Sequence, residues 1–303
     1  MIYTFTPNPA VDYYVRVNEF IPGEINRVTD SFFLAAGKGI NVSLLLNVLS
    51  IPSTAVYFTA GFTGKYITDF LEGIPHVDPY PIETEGVTRV NVKFLGEQDT
   101  AINASGSPVT EQAKEKLIEL VETLTEDDVF VISGSLPKNF TKQDVIALGK
   151  IVNRKKTKLV LDVPQFTIQD LEELSVFLIK PNLEEFATFM GKDINYDNFR
   201  EFIDDSLLEK TEHLLLSLGS KGCYYAGKDG RYCVKVPKVT TFSPVGAGDS
   251  TLAAFIGTYI ETGDIEHTLK MANATGTAKV KHGTICDRKQ IEEEISHIEL
   301  IKE

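Results

Sequence analysis

The stretch SPVGAGDS at residues 243–250, followed by TLAAFIGTYI at 251–260, organises the chain. Apolar residues recur at three- and four-residue steps through the second part, which predicts a helix over 249–261. Gly246 and Gly248 then lie at a helix N-terminus, where unpaired backbone N–H groups and the positive end of the helix dipole favour an anion. Because glycine has no side chain, a ligand's oxygen atoms can approach the backbone closely. The stretch therefore predicts an anion-binding loop.

Asp249 is unexpected beside such a loop, because its carboxylate repels a phosphate. One interpretation is a general base aimed at a hydroxyl that attacks the phosphate. The other is an aspartate that caps the first helical turn. An ordinary aspartate has a pKa of ~3.9, and the positive helix end is expected to keep it ionised. These eight residues alone leave both interpretations open.

The composition is that of a globular protein and argues against several classes of function. The chain has 303 residues, 43% of them hydrophobic and 24% charged. A net charge of −13 argues against a nucleic-acid partner. The N-terminus does not resemble a signal peptide, and no apolar run is long enough for a membrane span, so we expect no membrane partner. Three cysteines without C-x-x-C spacing indicate a reducing compartment and predict a cytoplasmic protein.

Strand and helix patterns alternate from residue 110 onward, which predicts a mostly parallel, doubly wound sheet with helices on both faces. Two β-rich pieces, about 11–35 and 86–104, break that rhythm and predict a small β appendage; the second contains a hairpin of 88–95 with 99–103. Polar residues follow the predicted strands of the main sheet, where ligands bind in such folds. These residues are Ser133, Asp162, Lys180, Asn182, Ser217 and Gly219.

The segment AGKGINV at 36–42 carries a second glycine pair. It is not a P-loop, because Phe32 stands where the first glycine belongs and Gly39 stands where Ser or Thr must follow the lysine. No G-x-G-x-x-G motif follows an N-terminal strand, which argues against a nicotinamide dehydrogenase. The segment is either a plain turn or a second anion loop that opens a helix, with Lys38 and Asn41 facing a ligand.

Two further segments have both a structural and a functional interpretation. In KPNLEE at 180–185, Asn182 and Glu185 fit a helix capping box, and Lys180 and Asn182 also fit a site for nucleotide phosphates. In SLGSKG at 217–222, the glycines fit either a turn or a nucleotide loop with Lys221 close by.

Taken together, the two glycine motifs, at this separation, resemble the two signatures of the PfkB carbohydrate kinases. Three other motifs occur between them in the family's order, namely SGSLP at 133–137, KPNLEE and SLGSKG. The opening TPNPAVD at 6–12 and TRVNVK at 88–93 are similar to the hexose-phosphate branch. The resemblance covers essentially the whole chain. It implies a single ribokinase-like α/β domain over 1–303, with a β lid formed by about 11–35 and 86–104.

The resemblance also implies a role for each matching residue. Asp249 is the expected base, and Gly246, Ala247 and Gly248 form the expected anion hole. The residues expected at the sugar and its phosphate are Asp12, Arg27, Gly37, Lys38, Asn41, Arg89 and Ser135. Those expected at ATP are Lys180, Asn182, Ser217, Gly219, Lys221, Gly222 and Ser250. Glu185 is expected to order Mg²⁺ through water, and the lid is expected to form a homodimer interface as in relatives.

The chain departs from the family pattern at two places. Ala36 stands where the first glycine of G-G-K-G is usual, and Val163-Pro164-Gln165 follow Asp162 where small hydroxyl residues and glycine are usual. The first departure bears on how the sugar fits, and the second weakens any role for Asp162.

The implied reaction is ATP-dependent phosphorylation of D-fructose 1-phosphate at its 6-hydroxyl. Tagatose 6-phosphate is the alternative substrate. A non-catalytic sugar-phosphate sensor is disfavoured because the base, the anion loop and KPNLEE are all present. The cations Arg27, Lys38 and Arg89 argue against a ribose or nucleoside kinase, which needs no site for a substrate phosphate.

Overall fold

The structure is a computed structural model and describes residues 1–17, 19–96, 100–241, 245–283 and 286–303. The described residues form two sheets, one of ten strands and one of four, with helices packed against the larger sheet. This arrangement confirms the predicted α/β fold with a separate small sheet.

The larger sheet is parallel through most of its width. Its strands are β1 (Ile2–Thr6), β4 (Ser53–Thr59), β5 (Val77–Glu83), β8 (Val129–Ser133), β9 (Lys158–Asp162), β10 (Val176–Ile179), β11 (Thr211–Ser217), β12 (Cys223–Gly227), β13 (Gly230–Lys235) and β14 (Glu299–Lys302). The spatial order is β14-β13-β12-β11-β10-β9-β8-β1-β4-β5. Every neighbouring pair from β5 to β11 is parallel, and the last three strands add an antiparallel edge.

Both faces of this sheet are buried, because neighbouring side chains on a strand point to opposite sides. On β8, Val131 packs into the core beneath one helical layer and Ile132 into the core beneath the other. Such strands are buried along their whole length and mostly apolar; in β8, VFVIS, the first four residues are apolar and Ser133 ends the strand. The alternation of buried strands with helices could therefore be recognised in the sequence.

The helices are α1 (Lys38–Val48), α2 (Gly61–Glu72), α3 (Glu111–Glu122), α4 (Lys142–Arg154), α5 (Leu183–Met190), α6 (Asp205–Leu208), α7 (Ala247–Thr262), α8 (Ile265–His282) and α9 (Arg288–Ile295). The helices α1, α7, α8 and α9 cover one face, with Leu46 and Phe255 in its core. The helices α3, α4 and α5 cover the other face. The helix predicted over 249–261 is α7, and Gly263 ends it in the left-handed conformation with φ 64°.

The small sheet has the order β3-β2-β6-β7, formed by Asp30–Ala36, Ala10–Arg16, Arg89–Leu95 and Thr100–Ile102. β2 pairs antiparallel with β3 and parallel with β6, so the two β-rich pieces predicted from the sequence join in one sheet. The predicted hairpin of β6 and β7 is antiparallel, although its turn residue Glu97 lies outside the described residues.

Five of the helices and strands were not predicted, namely α2, β5, α6, α9 and β14. β5 has the sequence VDPYPIE, and its two prolines disguise a strand because proline cannot donate to a ladder. α2 begins after Ala60 without a side-chain cap, so it lacks a start signal. The three cysteines are free, and no helix of the described residues is long and apolar enough to cross a membrane.

Candidate active site

A cleft of about 600 Å³ lies between the small sheet and the carboxyl ends of the large sheet's strands. Strand ends and helix starts place the predicted residues there, as expected for an open α/β sheet. The predicted site residues that line the cleft are Asp12, Gly37, Lys38, Asn41, Arg89, Ser135, Lys180, Asn182, Glu185, Ser217, Gly246, Gly248 and Asp249. Two glycine motifs distant in sequence thus face one space.

The second glycine motif forms the N-terminus of α7. Gly246 is the N-cap residue in the left-handed conformation (φ 81°), and no side chain caps the helix. Asp249 lies in the first turn, and its side chain accepts a hydrogen bond from Asn41 Nδ2 at 2.7 Å. The capping interpretation of Asp249 is therefore wrong, because this carboxylate is turned toward the other glycine motif.

Burial controls the charge of Asp249, which is only 7% exposed. Loss of solvent raises its pKa, and the nearby negative charge of Asp162 raises it further. The hydrogen bond from Asn41 and the positive charges of Lys38 and Lys180 act in the opposite direction. The net effect is a raised pKa, so Asp249 is more basic than the ordinary aspartate expected from the sequence.

The first glycine motif packs tightly against the end of β1. A Cβ at Gly37 would lie 2.5 Å from Thr6 Cγ2, and Gly37 has φ 136°, so a larger residue does not fit. Thr6 Oγ1 accepts a 2.8 Å hydrogen bond from the backbone N–H of Ile40 and lies 2.5 Å from where a Cβ of Gly39 would be. Both glycines are therefore required by the close approach of α1 to β1.

Lys38 in this motif already has an anionic partner. Its Nζ lies 3.2 Å from Asp162 Oδ1 and 4.0 Å from Glu185 Oε1. Ser133 Oγ donates to Asp162 Oδ2 at 2.8 Å, which fixes the buried carboxylate. Asp162, whose role the sequence left in doubt, therefore anchors Lys38.

The small sheet contributes the opposite wall. Asn91 on β6 donates a 2.7 Å hydrogen bond to Asp12 Oδ1 on β2. The Arg89 guanidinium donates to the backbone carbonyls of Asn8, Pro9 and Ala104 at 2.7–3.3 Å. Arg89 thus ties the small sheet to the chain that enters it, and burial lowers its pKa.

The nucleotide side is formed by the ends of β10 and β11. Lys180 is 5% exposed, and its Nζ lies 3.0 Å from where a Cβ of Gly248 would be. Asn182 Oδ1 accepts from the Glu185 N–H and Glu185 Oε2 from the Asn182 N–H, both at 2.8 Å. The predicted capping box of α5 is confirmed. Lys180 stands directly beside the anion loop.

Other predicted residues do not line this cleft. Ala247 follows Gly246 in the loop, and Ser250 faces a second cavity beneath the small sheet. Arg27 is exposed in the segment between β2 and β3, beyond the end of these strands that is distant from the cleft. It therefore does not reach the cleft of its own chain.

The 217–222 loop is shaped mainly by packing. The Lys221 ammonium lies 3.2 Å from the centroid of the Tyr196 ring, so this cation already has a partner. A Cβ at Gly222 would lie 2.0 Å from the Val234 carbonyl oxygen, so packing alone requires a glycine at this position. Gly219 has open space around its Cβ position and does not line the cleft.

Sequence reasoning missed several residues that line the cleft, namely Asn8, Asn91, Lys93, Asn103 and Gly134. A signal was present in β6, where Arg89, Asn91 and Lys93 recur at every second position and therefore share one face. Lys279 was also missed; it lies behind Gly246, with Cε 3.2 Å from where a Cβ would be.

The described residues contain no cluster of three or more metal-binding side chains. Mg²⁺ in phosphoryl-transfer sites is held largely by water and substrate phosphates, with one or two carboxylates. Glu185 fits that limited role, because it lines the cleft and the charged partner of its Oε1 among the described residues, Lys38, is 4.0 Å away.

Comparison with known proteins gives a consistent result. The family described as "pfkB family carbohydrate kinase" matches residues 8–289. A 1-phosphofructokinase of Borreliella burgdorferi is 32% identical over 98% of this chain and 97% of its own length. A D-tagatose-1-phosphate kinase of Bacillus licheniformis is 30% identical over 99% of each chain. The solved structure of phosphofructokinase-2 from Escherichia coli shares the fold, with a TM-score of 0.91 at 23% identity over 97% of this chain and 98% of that chain.

Proposed function

The chain belongs to the pfkB family of carbohydrate kinases, and on that basis we propose that it uses ATP to phosphorylate D-fructose 1-phosphate at the 6-hydroxyl, giving fructose 1,6-bisphosphate. One observation carries the proposal: Asp249, a buried carboxylate with a raised pKa, stands at the mouth of an anion loop and is bonded to Asn41 from the second glycine motif. That arrangement suits a hydroxyl attacking a phosphate held by the loop.

In this mechanism Asn41 holds Oδ2 of Asp249, and Oδ1 receives the hydroxyl proton as the sugar oxygen attacks phosphorus in line. The uncapped N–H groups at the start of α7 stabilise the charge on the transferring phosphoryl group. Comparable donors contribute about 3 kcal/mol each in other anion holes. Lys180 stands beside the same loop and stabilises the same charge.

The remaining assignments follow the position of each residue. Asp12, Gly37 and Asn41 hold sugar hydroxyls, and Ser135 lies within reach of the substrate at the cleft wall. Asn182 and Ser217, which line the cleft, contact ATP from the strand ends. Gly219, Lys221, Gly222 and Ser250 do not line the cleft, and we assign them no contact with ATP. Glu185 would help hold Mg²⁺ through water, and the bound ion would neutralise part of the phosphate charge.

We also assign the small sheet as a lid whose outer surface forms a homodimer interface. The sheet exposes large apolar side chains, including Phe33 at 48%, Ile102 at 57% and Val90 at 37%. Apolar side chains grouped on one sheet usually mark a contact surface. Sedimentation analysis of an Ile102→Asp variant tests this assignment; a parent dimer that is unaffected by the change contradicts it.

The direct test of function is an ADP-release assay with fructose 1-phosphate, tagatose 1-phosphate, tagatose 6-phosphate, fructose 6-phosphate and ribose compared side by side. We expect the highest kcat/KM with fructose 1-phosphate. Tagatose 1-phosphate is the second candidate, because a relative covering nearly the whole chain carries that name. Stoichiometric sugar-phosphate binding without ADP formation would instead indicate a sensor.

A further inference from the structure

The last turn of α8 lies directly behind the anion loop. α8 approaches the start of α7 closely at Gly276, where a Cβ would lie 2.4 Å from Thr251 Oγ1 and 3.5 Å from the Ala247 carbonyl oxygen. Residues three apart on a helix share one face, so Lys279 projects from this face one turn later. Its Cε and Nζ lie 3.2 Å and 3.8 Å from where a Cβ of Gly246 would be. The anion loop therefore has an ammonium group at its back.

Two ammonium groups thus flank the loop, one at each of its glycines. Lys180 Nζ lies 3.0 Å from the Cβ position of Gly248, and Lys180 lines the cleft. Lys279 stands at Gly246 and instead lines the second cavity, of about 180 Å³, beneath the small sheet. A ligand on the cleft side of the loop can touch Lys180, whereas Lys279 acts on it through the backbone of the loop.

The positive charge of Lys279 has no direct counterion. Its Nζ donates a hydrogen bond to the carbonyl oxygen of Gly283, which ends the same helix, and an ammonium has two further N–H groups. Among the residues that the structure describes, no carboxylate forms an ion pair with Lys279. Lys281 in the same turn is different, because its Nζ lies 2.6 Å from Glu294 Oε1.

Burial makes an unpaired ammonium at this position costly. Loss of solvent lowers the pKa of Lys279, and the neighbouring Cys286 and Asp249 oppose that effect. A chain with a net charge of −13 has many carboxylates that could neutralise such a cation, yet none pairs with it in the described part of the chain. An anion bound on the cleft side of the loop would supply the missing negative charge.

We propose that Lys279 is a positioning residue for phosphoryl transfer, which supports the anion loop from behind at Gly246 and places a fixed positive charge behind the γ-phosphate of ATP. This inference rests on the proposed function, because it assumes that the loop holds this phosphate. The charge adds to that of the uncapped N–H groups at the start of α7. ADP lacks the γ-phosphate, so a comparison of the two nucleotides isolates this role.

Three variants test the proposal. Lys279→Met removes the charge and keeps the length of the side chain, and Lys279→Ala removes most of the side chain. Lys270→Met, nine residues earlier and on the opposite face of α8, is the control with the same substitution. We expect Lys279→Met to lower kcat/KM for ATP about 10- to 100-fold, with the KM for fructose 1-phosphate unchanged. Lys270→Met should match the parent.

Calorimetry in the presence of Mg²⁺ separates an effect on the γ-phosphate from a disturbed fold. Lys279→Met should bind ATP about tenfold more weakly than the parent and bind ADP equally well. Equal losses of affinity for ATP and ADP would overturn the proposal, because a distorted nucleotide site weakens the binding of both. Unchanged affinity for both nucleotides would overturn it as well.

Chemical rescue tests the charge itself. In Lys279→Ala the vacated space adjoins the second cavity, so a small ammonium ion can enter it. Ethylammonium should restore a large part of the lost kcat/KM for ATP, whereas tetramethylammonium, which is bulkier and has no N–H group, should not at the same ionic strength. The parent and Lys270→Met should respond to neither ion. Equal effects of the two ions on Lys279→Ala would contradict the role of an ammonium at this position.

The proposed function can fail separately. If the parent makes no ADP with any ketohexose phosphate, that function is wrong. The calorimetric comparison of ATP with ADP needs no sugar, so it still decides whether Lys279 acts on the γ-phosphate.

Discussion

Asn41 Nδ2 donates a 2.7 Å hydrogen bond to Asp249 Oδ2, although 208 positions separate the two residues in the sequence. The bond joins the first turn of α1 to the first turn of α7, and each of these helices begins in a glycine motif. Because it stabilises the ionised carboxylate, the bond also opposes the effect of burial on the pKa of Asp249. This one contact thus holds the proposed base in position and also lowers its pKa against the larger effect of burial.

Replacement of the base is the first prediction. Asp249→Asn keeps the size of the side chain and removes the proton acceptor, so we expect kcat to fall by about 10²- to 10⁴-fold. The affinity for ATP, measured by calorimetry, should stay close to that of the parent. A variant within tenfold of the parent's turnover would show that Asp249 is not the base.

The second prediction concerns how the activity depends on pH when Asn41, the hydrogen-bond partner of Asp249, is replaced. Asn41→Ala deletes a hydrogen bond that lowers the pKa of Asp249, so the pKa rises further. Activity requires the ionised form, and the acidic limb of the kcat–pH profile should therefore move to higher pH. Asn47→Ala on the same helix is the control. Identical acidic limbs for Asn41→Ala and the parent would disprove this link.

The third prediction concerns acid stability. His213 is fully buried among aromatic rings, its Nδ1 shares a 2.7 Å hydrogen bond with Tyr225, and burial lowers its pKa from 6.5 to about 4. The unfolded chain binds a proton below pH 6.5 that the folded chain does not bind until about pH 4. Stability therefore falls as the pH drops through this window, by up to about 3 kcal/mol in total.

Urea unfolding at pH 7 and pH 5 measures this effect. The drop between the two values should be smaller in His213→Gln than in the parent. His267→Gln, at an exposed position on α8, should show the parent's drop. Equal pH dependence in all three proteins would mean that another group titrates.

A fourth prediction compares two glycines in one loop. Both Gly219 (φ 60°) and Gly222 (φ 92°) have left-handed backbones. A Cβ added at Gly222 would lie 2.0 Å from the Val234 carbonyl oxygen, whereas a Cβ added at Gly219 would meet no atom within 4 Å. Gly219→Ala should cost about 1 kcal/mol, and Gly222→Ala about 3 kcal/mol or more, because a clash adds to the strain. Thermal unfolding compares them, and equal losses would contradict the packing role of Gly222.

Much of this architecture could be predicted from local patterns. Buried parallel strands such as β8 are almost entirely apolar. The helices α4 and α5 begin with capping boxes, and α7 has apolar residues at helical spacing. β5 could not be recognised in the same way. Its prolines oppose strand formation locally, and only its place beside β4 makes them acceptable.

In the candidate site, too, some features follow from local sequence patterns and others do not. Glycine motifs and strand-end polar residues identified most of the cleft, because their positions follow from topology. The partners of each cation did not follow from the sequence. The contacts of Lys38 with Asp162 and of Lys221 with Tyr196 join residues that are distant in the sequence. The position of Arg27 outside the cleft depends on the length of the β2–β3 hairpin, which the sequence pattern did not give either.

The prolines of β5 also bear on how the protein behaves at high concentration. Thr84, just after the strand, donates its N–H to Thr59, so residues of the opposite parity, including Pro79 and Pro81, face the open edge of the sheet. That edge therefore lacks two donors that an incoming strand would need. The β5 edge of the large sheet is in this way protected against edge-to-edge aggregation, and the protection is independent of catalysis.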